Sequence, residues 1–136
     1  MGNQGMSVLE KVAPTDLDLF DASWLEPISS VKKVEFRKML QRIETREWWV
    51  WRFKEPSSGI AVAYPEDGKL FIYYLRGYNL FANLHTEDLL EAARAEGLKG
   101  CMAETSRKGI LLFLKRLGFK VIFRDQNGWL LELEDG

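Results

Sequence analysis

The chain has 136 residues, of which 46% are hydrophobic and 29% charged, with a formal charge of −1. That length accommodates one core and not two, and the composition is ordinary for a globular protein in water. The balanced charge gives no bulk attraction to nucleic acid or to an anionic membrane, so neither is expected as a partner.

Cysteine usage narrows the chemistry further. Cys101 is the only cysteine and His85 the only histidine. An internal disulfide is excluded, a reducing compartment fits, and no zinc-ligand spacing can be assembled, so no metal is expected. No run approaches the roughly 18 apolar residues that span a bilayer. Met1 to Met6 is polar and lacks a signal-peptide core, and Met6 stands where a myristoylation signal takes Ser or Thr. A disordered tail is expected over 1–6, one domain over 7–136 and a cytoplasmic location.

Along the chain, Val8 to Val12 reads as a short first strand, broken by Ala13-Pro14-Thr15-Asp16. Asp16, Asp18 and Asp21 mark helix starts or turns, and Pro27 interrupts the segment after them. From about Ser30 to Ile43 the apolar residues Val31, Val34, Phe36, Met39, Leu40 and Ile43 recur at helical period. Glu47 to Lys54 is a strand rich in residues that suit a pleated surface: Trp49, Trp51 and Phe53 fall on one face, Trp48 and Val50 with Arg52 on the other. A strand apolar on both faces is either covered twice or gives one face to a partner; because a mixed α/β sheet carries helices on both faces, double cover is the expectation. Turns at Pro56-Ser57-Ser58-Gly59 and Pro65-Glu66-Asp67-Gly68 bracket a strand from Ile60 to Tyr64, and Leu70 to Leu75 is the next strand, giving an antiparallel meander.

Leu80, Phe81 and Leu84 lie on a different face from Leu89, Leu90 and Ala93, so an irregular loop is expected up to His85. Thr86 then caps a helix that Gly97 ends. Gly100 to Thr105 is a strand. The clearest element is the helix from Ser106 to Leu117, capped by Thr105 or Ser106, with Ile110, Phe113, Leu114 and Leu117 as its apolar stripe. Gly118 stops it and Phe119 folds back on its last turn. Lys120 to Asp125 and Trp129 to Leu133 are strands, with an Asn127-Gly128 hairpin signal between them.

The order is strand, one or two helices, three strands, helix, strand, helix, two strands: a mixed α/β layer architecture. The order of elements is similar to that of the GNAT N-acetyltransferase superfamily over nearly the whole chain, and the run Gly97 to Glu134, with its helix ending in Leu117-Gly118-Phe119, resembles that superfamily's C-terminal half. Small proteins of this look occur in bacteriophage and prophage genomes. The resemblance implies a GNAT-like acyl-CoA N-acyltransferase fold, with a central, mostly antiparallel sheet, one parallel strand pair and flanking helices. It implies acetyl-CoA as cofactor and a small-molecule or peptide amine as acceptor.

In that family the pyrophosphate meets a loop reading Gln or Arg, two residues, Gly, one residue, then Gly or Ala. Here the loop is Arg76-Gly77-Tyr78-Asn79-Leu80-Phe81. Arg76 fits, while Asn79 and Phe81 stand where small residues belong. By resemblance the cofactor-binding candidates are Arg76, Gly77, Tyr78 and Asn79. Arg107 and Lys108 join them as cations at a helix start, where free N–H groups attract anions; a solvated face near Glu104 is the other reading. The family's acid, a tyrosine on the last helix, maps onto Leu114, which donates no proton. Tyr73, Tyr74, Tyr78 and His85 are the remaining catalytic candidates, each also readable as packing or surface. Two functions stay open: an acetyl-CoA-dependent N-acetyltransferase, and an inactive GNAT-like domain that binds a protein partner or serves assembly.

Overall fold

The structure is a computed structural model that describes residues 7–25 and 33–135. The expected tail over 1–6, Pro27 and the start of the first long helix lie outside them. Seven strands form one sheet in the order β1-β2-β3-β4-β5-β7-β6. They are β1 (Leu9–Val12), β2 (Trp49–Phe53), β3 (Ser58–Glu66), β4 (Lys69–Tyr78), β5 (Gly100–Thr105), β6 (Lys120–Asp125) and β7 (Gly128–Glu134). Every neighbouring pair is antiparallel except β4 and β5. That one parallel pair needs the crossover that α4 (Thr86–Ala95) supplies.

Helices cover the sheet from both sides. On one face α4 and α5 (Lys108–Arg116), with the one-turn α3 (Leu80–Asn83), bury Leu89, Leu90, Ala93, Leu111, Phe113 and Leu114 against Trp51, Phe53, Ala61, Ala63, Cys101 and Leu131. On the other, α2 (Lys33–Glu44) and the residues after α1 (Leu19–Ser23) pack Met39, Ile43 and Leu25 on Val50, Ile60 and Val62. The tryptophan-rich strand is therefore covered twice, as its composition implies.

α1 is anchored by charge. Asp18 accepts from the Asp21 N–H, and Asp21 in turn accepts from the Asp18 N–H. The buried Asp21 carboxylate is also gripped by the Arg52 guanidinium of β2, whose Nε lies 3.0 Å from Oδ1. Hydrogen bonds from Arg52 hold this carboxyl below its ordinary acidity range.

Several local expectations are corrected. β4 runs on through Arg76, Gly77 and Tyr78, so the expected loop begins only at Asn79, and α3 occupies its middle. β3 runs from Ser58 to Glu66, so it takes in Ser58 and Gly59 of the first expected turn and Pro65 and Glu66 of the second, which pair with Leu70 and Lys69. Thr86 is not the cap of α4: its hydroxyl donates to the Leu117 carbonyl at 2.6 Å, while Asp88 accepts the His85 N–H at the helix start. α5 starts at Lys108, later than expected, with Thr105 Oγ1 accepting the Arg107 N–H just before it. In the stripe of α5, Ile110 is exposed and Leu111 is buried in its place. The last hairpin turns on Gln126 and Asn127; Gly128 already belongs to β7, where it pairs with Asp125, and a Cβ there would stand 2.3 Å from the Thr105 carbonyl oxygen. No helix among the described residues is long and apolar enough to cross a membrane.

Candidate functional site

The parallel pair is short. β4 and β5 pair only at Leu70–Cys101, Phe71–Met102 and Ile72–Ala103, yet β4 continues through Tyr78. Beyond the rung Ile72–Ala103 the strands part, and from Tyr73 onward that edge of β4 has no neighbouring strand among the described residues. Because β4 and β5 are parallel, α3 and α5 both start at the same end of the sheet, one on each side of this opening. Ligands collect at such points, where two parallel strands diverge and helix N-termini face the gap.

The first residues past the last rung are Tyr73 and Glu104. Tyr73 lies on the α2 face, against Trp48 at 4.5 Å between ring centroids. Glu104 is exposed and shares a face with Met102, the partner of Phe71, so it flanks the same face of the opening. Burial, with Glu35 adding to it, pushes the Tyr73 hydroxyl above its usual pKa, so it stays protonated at neutral pH. Among the catalytic candidates read from the sequence, only Tyr73 stands at the parting of the strands. Glu104 reads in the sequence only as a counter-charge. Its relation to Tyr73 depends on strand register, which a linear sequence does not display.

The other candidates are placed elsewhere. Tyr74 donates its hydroxyl to the Trp24 carbonyl at 2.6 Å and packs edge-on against Phe36. Tyr78 is 70% exposed at the end of β4. His85 is exposed in the break between α3 and α4. Arg76 pairs with Ile60 and so faces α1, its guanidinium 5.6 Å from the Trp24 ring. Gly77 lies opposite Gly59, and a Cβ on it would stand 2.3 Å from the Ser58 carbonyl oxygen, so its missing side chain lets two strands approach. Asn79 adopts the left-handed conformation at φ 63°, and its carbonyl accepts from Ser57 Oγ and Asn83 Nδ2, both at 2.9 Å. Arg107 and Lys108 are exposed at the start of α5, where no side chain caps the helix from the N-cap position.

On the helical face the opening is lined by apolar groups. Leu114 is buried and borders an apolar cavity of about 30 Å³ together with Ile72, Leu75 and Leu84. At its outer side Phe81 of α3 meets Phe113 of α5 edge to face, 4.4 Å between centroids. No cluster of three or more His, Cys, Asp or Glu side chains that could hold a metal occurs among the described residues.

No protein-family model and no curated protein matches the sequence. Solved structures do. The chain is similar to the Campylobacter jejuni N-acetyltransferase PseH in complex with acetyl coenzyme A, at 13% identity over 94% of this chain and 99% of that one, with a TM-score of 0.63. It is similar to the PaiA N-acetyltransferase of Thermoplasma acidophilum in complex with coenzyme A, at 19% identity over 93% and 97%, with a TM-score of 0.60. The AtaT–AtaR complex bound to DNA gives 14% identity over 93% of each chain and a TM-score of 0.61. Near-complete coverage of both chains, the single parallel pair and its parting beyond Ile72 together establish that this chain has the GNAT N-acetyltransferase fold.

Proposed function

We propose that the chain binds an acyl-CoA in the opening between β4 and β5 and promotes transfer of the acyl group to an amine. The observation that carries this reading is the unpaired edge of β4 from Tyr73 to Tyr78. Pantetheine carries two amide groups, and a free strand edge offers the donors and acceptors that such a chain pairs with. The pyrophosphate end falls to the main-chain N–H groups at the starts of α3 and α5, with Arg107 and Lys108 adding charge. The coenzyme A and acetyl coenzyme A named for PaiA and PseH support the same assignment.

When bound, the cofactor supplies an acyl group activated as a thioester. The protein's part is to hold the amine at the opening and to take its proton as the new C–N bond forms and the C–S bond breaks. In this reading Glu104 accepts that proton, and the protonated Tyr73 hydroxyl across the opening donates a hydrogen bond. Leu114 offers no acid to the departing thiol. A thiol of ordinary pKa, about 8.5, leaves with modest help, so that absence slows transfer without forbidding it.

A second reading has its own support: an inactive GNAT-fold domain used for binding or assembly. It is favoured by Leu114, by Asn79 and Phe81 in the places of small residues, and by the ring contact of Phe81 with Phe113 across the outer side of the opening. The AtaT–AtaR complex is a precedent for this fold in a protein assembly. Calorimetric titration with acetyl-CoA, paired with thiol release in the presence of a lysyl peptide, separates the two. Saturable binding with amine-dependent thiol release is expected; no heat and no rise in melting temperature would leave the second reading.

A further inference from the structure

The β1–β2 pair ends at the rung Val12–Val50. Beyond it β1 gives way to Ala13 and Pro14, while the chain entering β2 passes Arg46, Trp48 and Trp49. Between these segments lies a cleft of about 380 Å³, inside the range of about 300–1,000 Å³ that small-molecule sites occupy. It stands at the outer edge of β2, with β3 between it and the opening beside β4. Val12, Pro14 and Val50 give it apolar walls, completed by Trp48 and Trp49. The faces of those two indoles are already in use: Trp48 stacks on Tyr64 and carries Arg42, and Trp49 carries Lys11 at 4.5 Å. The rings therefore serve as walls and not as stacking platforms.

The charged lining is one-sided. Lys11 and Arg46 both border the cleft, and no carboxylate does. Lys11 is held by Glu96 at 2.8 Å, a pair that leaves the ammonium with further donors. The Arg46 guanidinium has no ion pair or hydrogen bond among the described residues. Its backbone adds a second observation. Arg46 follows α2 in the left-handed conformation at φ 65°, a place where glycine is usual and an arginine is strained. The other described non-glycine residues with positive φ, Asp67 and Asn79, belong to types that tolerate it. Nor is the guanidinium needed to finish the helix. The carbonyls of Arg42 and Ile43 already accept from the main-chain N–H groups of Trp48 and Arg46, at 3.0 and 3.1 Å. A cationic side chain kept at a strained position beside a cleft points to an anionic ligand.

We propose that this cleft binds a small organic carboxylate with an apolar body. Arg46 pairs with the carboxylate through parallel N–H donors, Lys11 adds a second positive charge, and the body lies against Val12, Pro14 and the indole walls. A bare inorganic anion would leave those walls in water, so the apolar body is part of what the cleft selects. The site is separate from the acyl-CoA opening and stands whether or not that reading holds.

The test is a titration of the isotope-labelled full chain followed by NMR. The probes are hydrocinnamate, its neutral amide hydrocinnamamide, and inorganic phosphate. Expected are saturating shifts of the Val12 and Arg46 main-chain signals and the Trp48 and Trp49 indole signals with the acid. The amide should bind about tenfold more weakly, the scale of a hydrogen bond to a charged group, and phosphate should not move these signals together. Arg46→Gly removes the guanidinium where glycine relieves the strain, so the variant keeps the fold and should bind the acid about tenfold more weakly. Arg46→Lys keeps the charge without the planar fork and should fall between the two. The proposal is overturned if the acid gives no saturable shift, if its shifts map outside the cleft, if the amide binds as tightly as the acid, if phosphate moves the same signals to the same extent, or if Arg46→Gly binds like the parent.

Discussion

Phe81 and Phe113 meet edge to face, 4.4 Å between ring centroids, and this contact joins the helices that come after the two strands of the parallel pair. The partners are unequal. Phe113 is 4% exposed and packs among Leu111, Leu114 and Leu117, whereas Phe81 is 59% exposed. Phe113→Ala should therefore cost about 3–5 kcal/mol, the cost of truncating a buried aromatic. Phe81→Ala loses the ring pair and little buried area, about 1 kcal/mol. Urea unfolding of both variants checks the ordering. Equal losses would show that the exposed ring supports the helices as much as the buried one.

Asp21 gives the fold an acid-sensitive point. Its folded pKa lies below the unfolded value of about 3.9, chiefly through hydrogen bonds from Arg52, with burial opposing. A lowered carboxylate pKa contributes stability that is complete above the unfolded pKa and is lost as pH falls through the folded one. Parent stability should therefore decline more steeply below about pH 4 than that of Asp21→Asn. At neutral pH the substitution should cost about 2–3 kcal/mol, below the figure for a fully buried pair because Arg52 remains 29% exposed. Chemical denaturation across acidic pH measures both. Parallel pH profiles would mean that the pair contributes no linkage.

Cys101 is fully buried in β5, its Sγ–H directed at the Leu89 carbonyl at 3.5 Å, and burial pushes its pKa up to about 12. The thiolate is the reactive form, so the native protein should resist thiol reagents near pH 8 and react only on unfolding. Here the raised pKa means stability that is complete below the unfolded value of about 8.5 and declines as pH climbs from there toward 12. A stopped-flow thiol assay with and without denaturant tests the first point. Rapid labelling of native protein would show that β5 opens locally. An inert Cys101 also leaves CoA as the sole source of signal in a thiol-release assay.

Most of the fold was legible because its signals are local. The alternation of Trp48 to Phe53, the period of Phe113, Leu114 and Leu117, and the stop at Gly118 each arise from neighbours in sequence. The errors fall where a tertiary contact overrides a local preference. Gly77 resembles a loop glycine, but it extends β4 because Gly59 lies against it on β3. Thr86 resembles a helix cap, but its hydroxyl serves the Leu117 carbonyl, thirty-one residues on. The candidate site was harder still. Tyr73 was among several tyrosines with no way to rank them, and Glu104 gains meaning only from the rung Ile72–Ala103, a pairing between strands joined by a helix.

Leu114 offers the most direct access to chemistry. It borders the cavity shared with Ile72 and Leu75, the residues on either side of the point where β4 leaves β5. A tyrosine at this position should carry its hydroxyl toward the opening from the helical face, opposite Tyr73 and Glu104. Leu114→Tyr should destabilise the fold by about 1–3 kcal/mol, since the cavity of about 30 Å³ is small beside the added ring. It should also speed amine-dependent thiol release from acetyl-CoA by about a hundredfold, the lower end of what a positioned acid contributes. The gain should appear in kcat rather than in KM, because an acid acts on the departing thiol and not on binding. Leu114→Phe adds the ring without the hydroxyl and should match the loss of stability without the gain in rate. Steady-state kinetics of the two variants beside the parent decide it: equal rates for Tyr and Phe would mean that the thiol does not leave at this position, and the acyl-transfer geometry proposed for the opening would have to be abandoned.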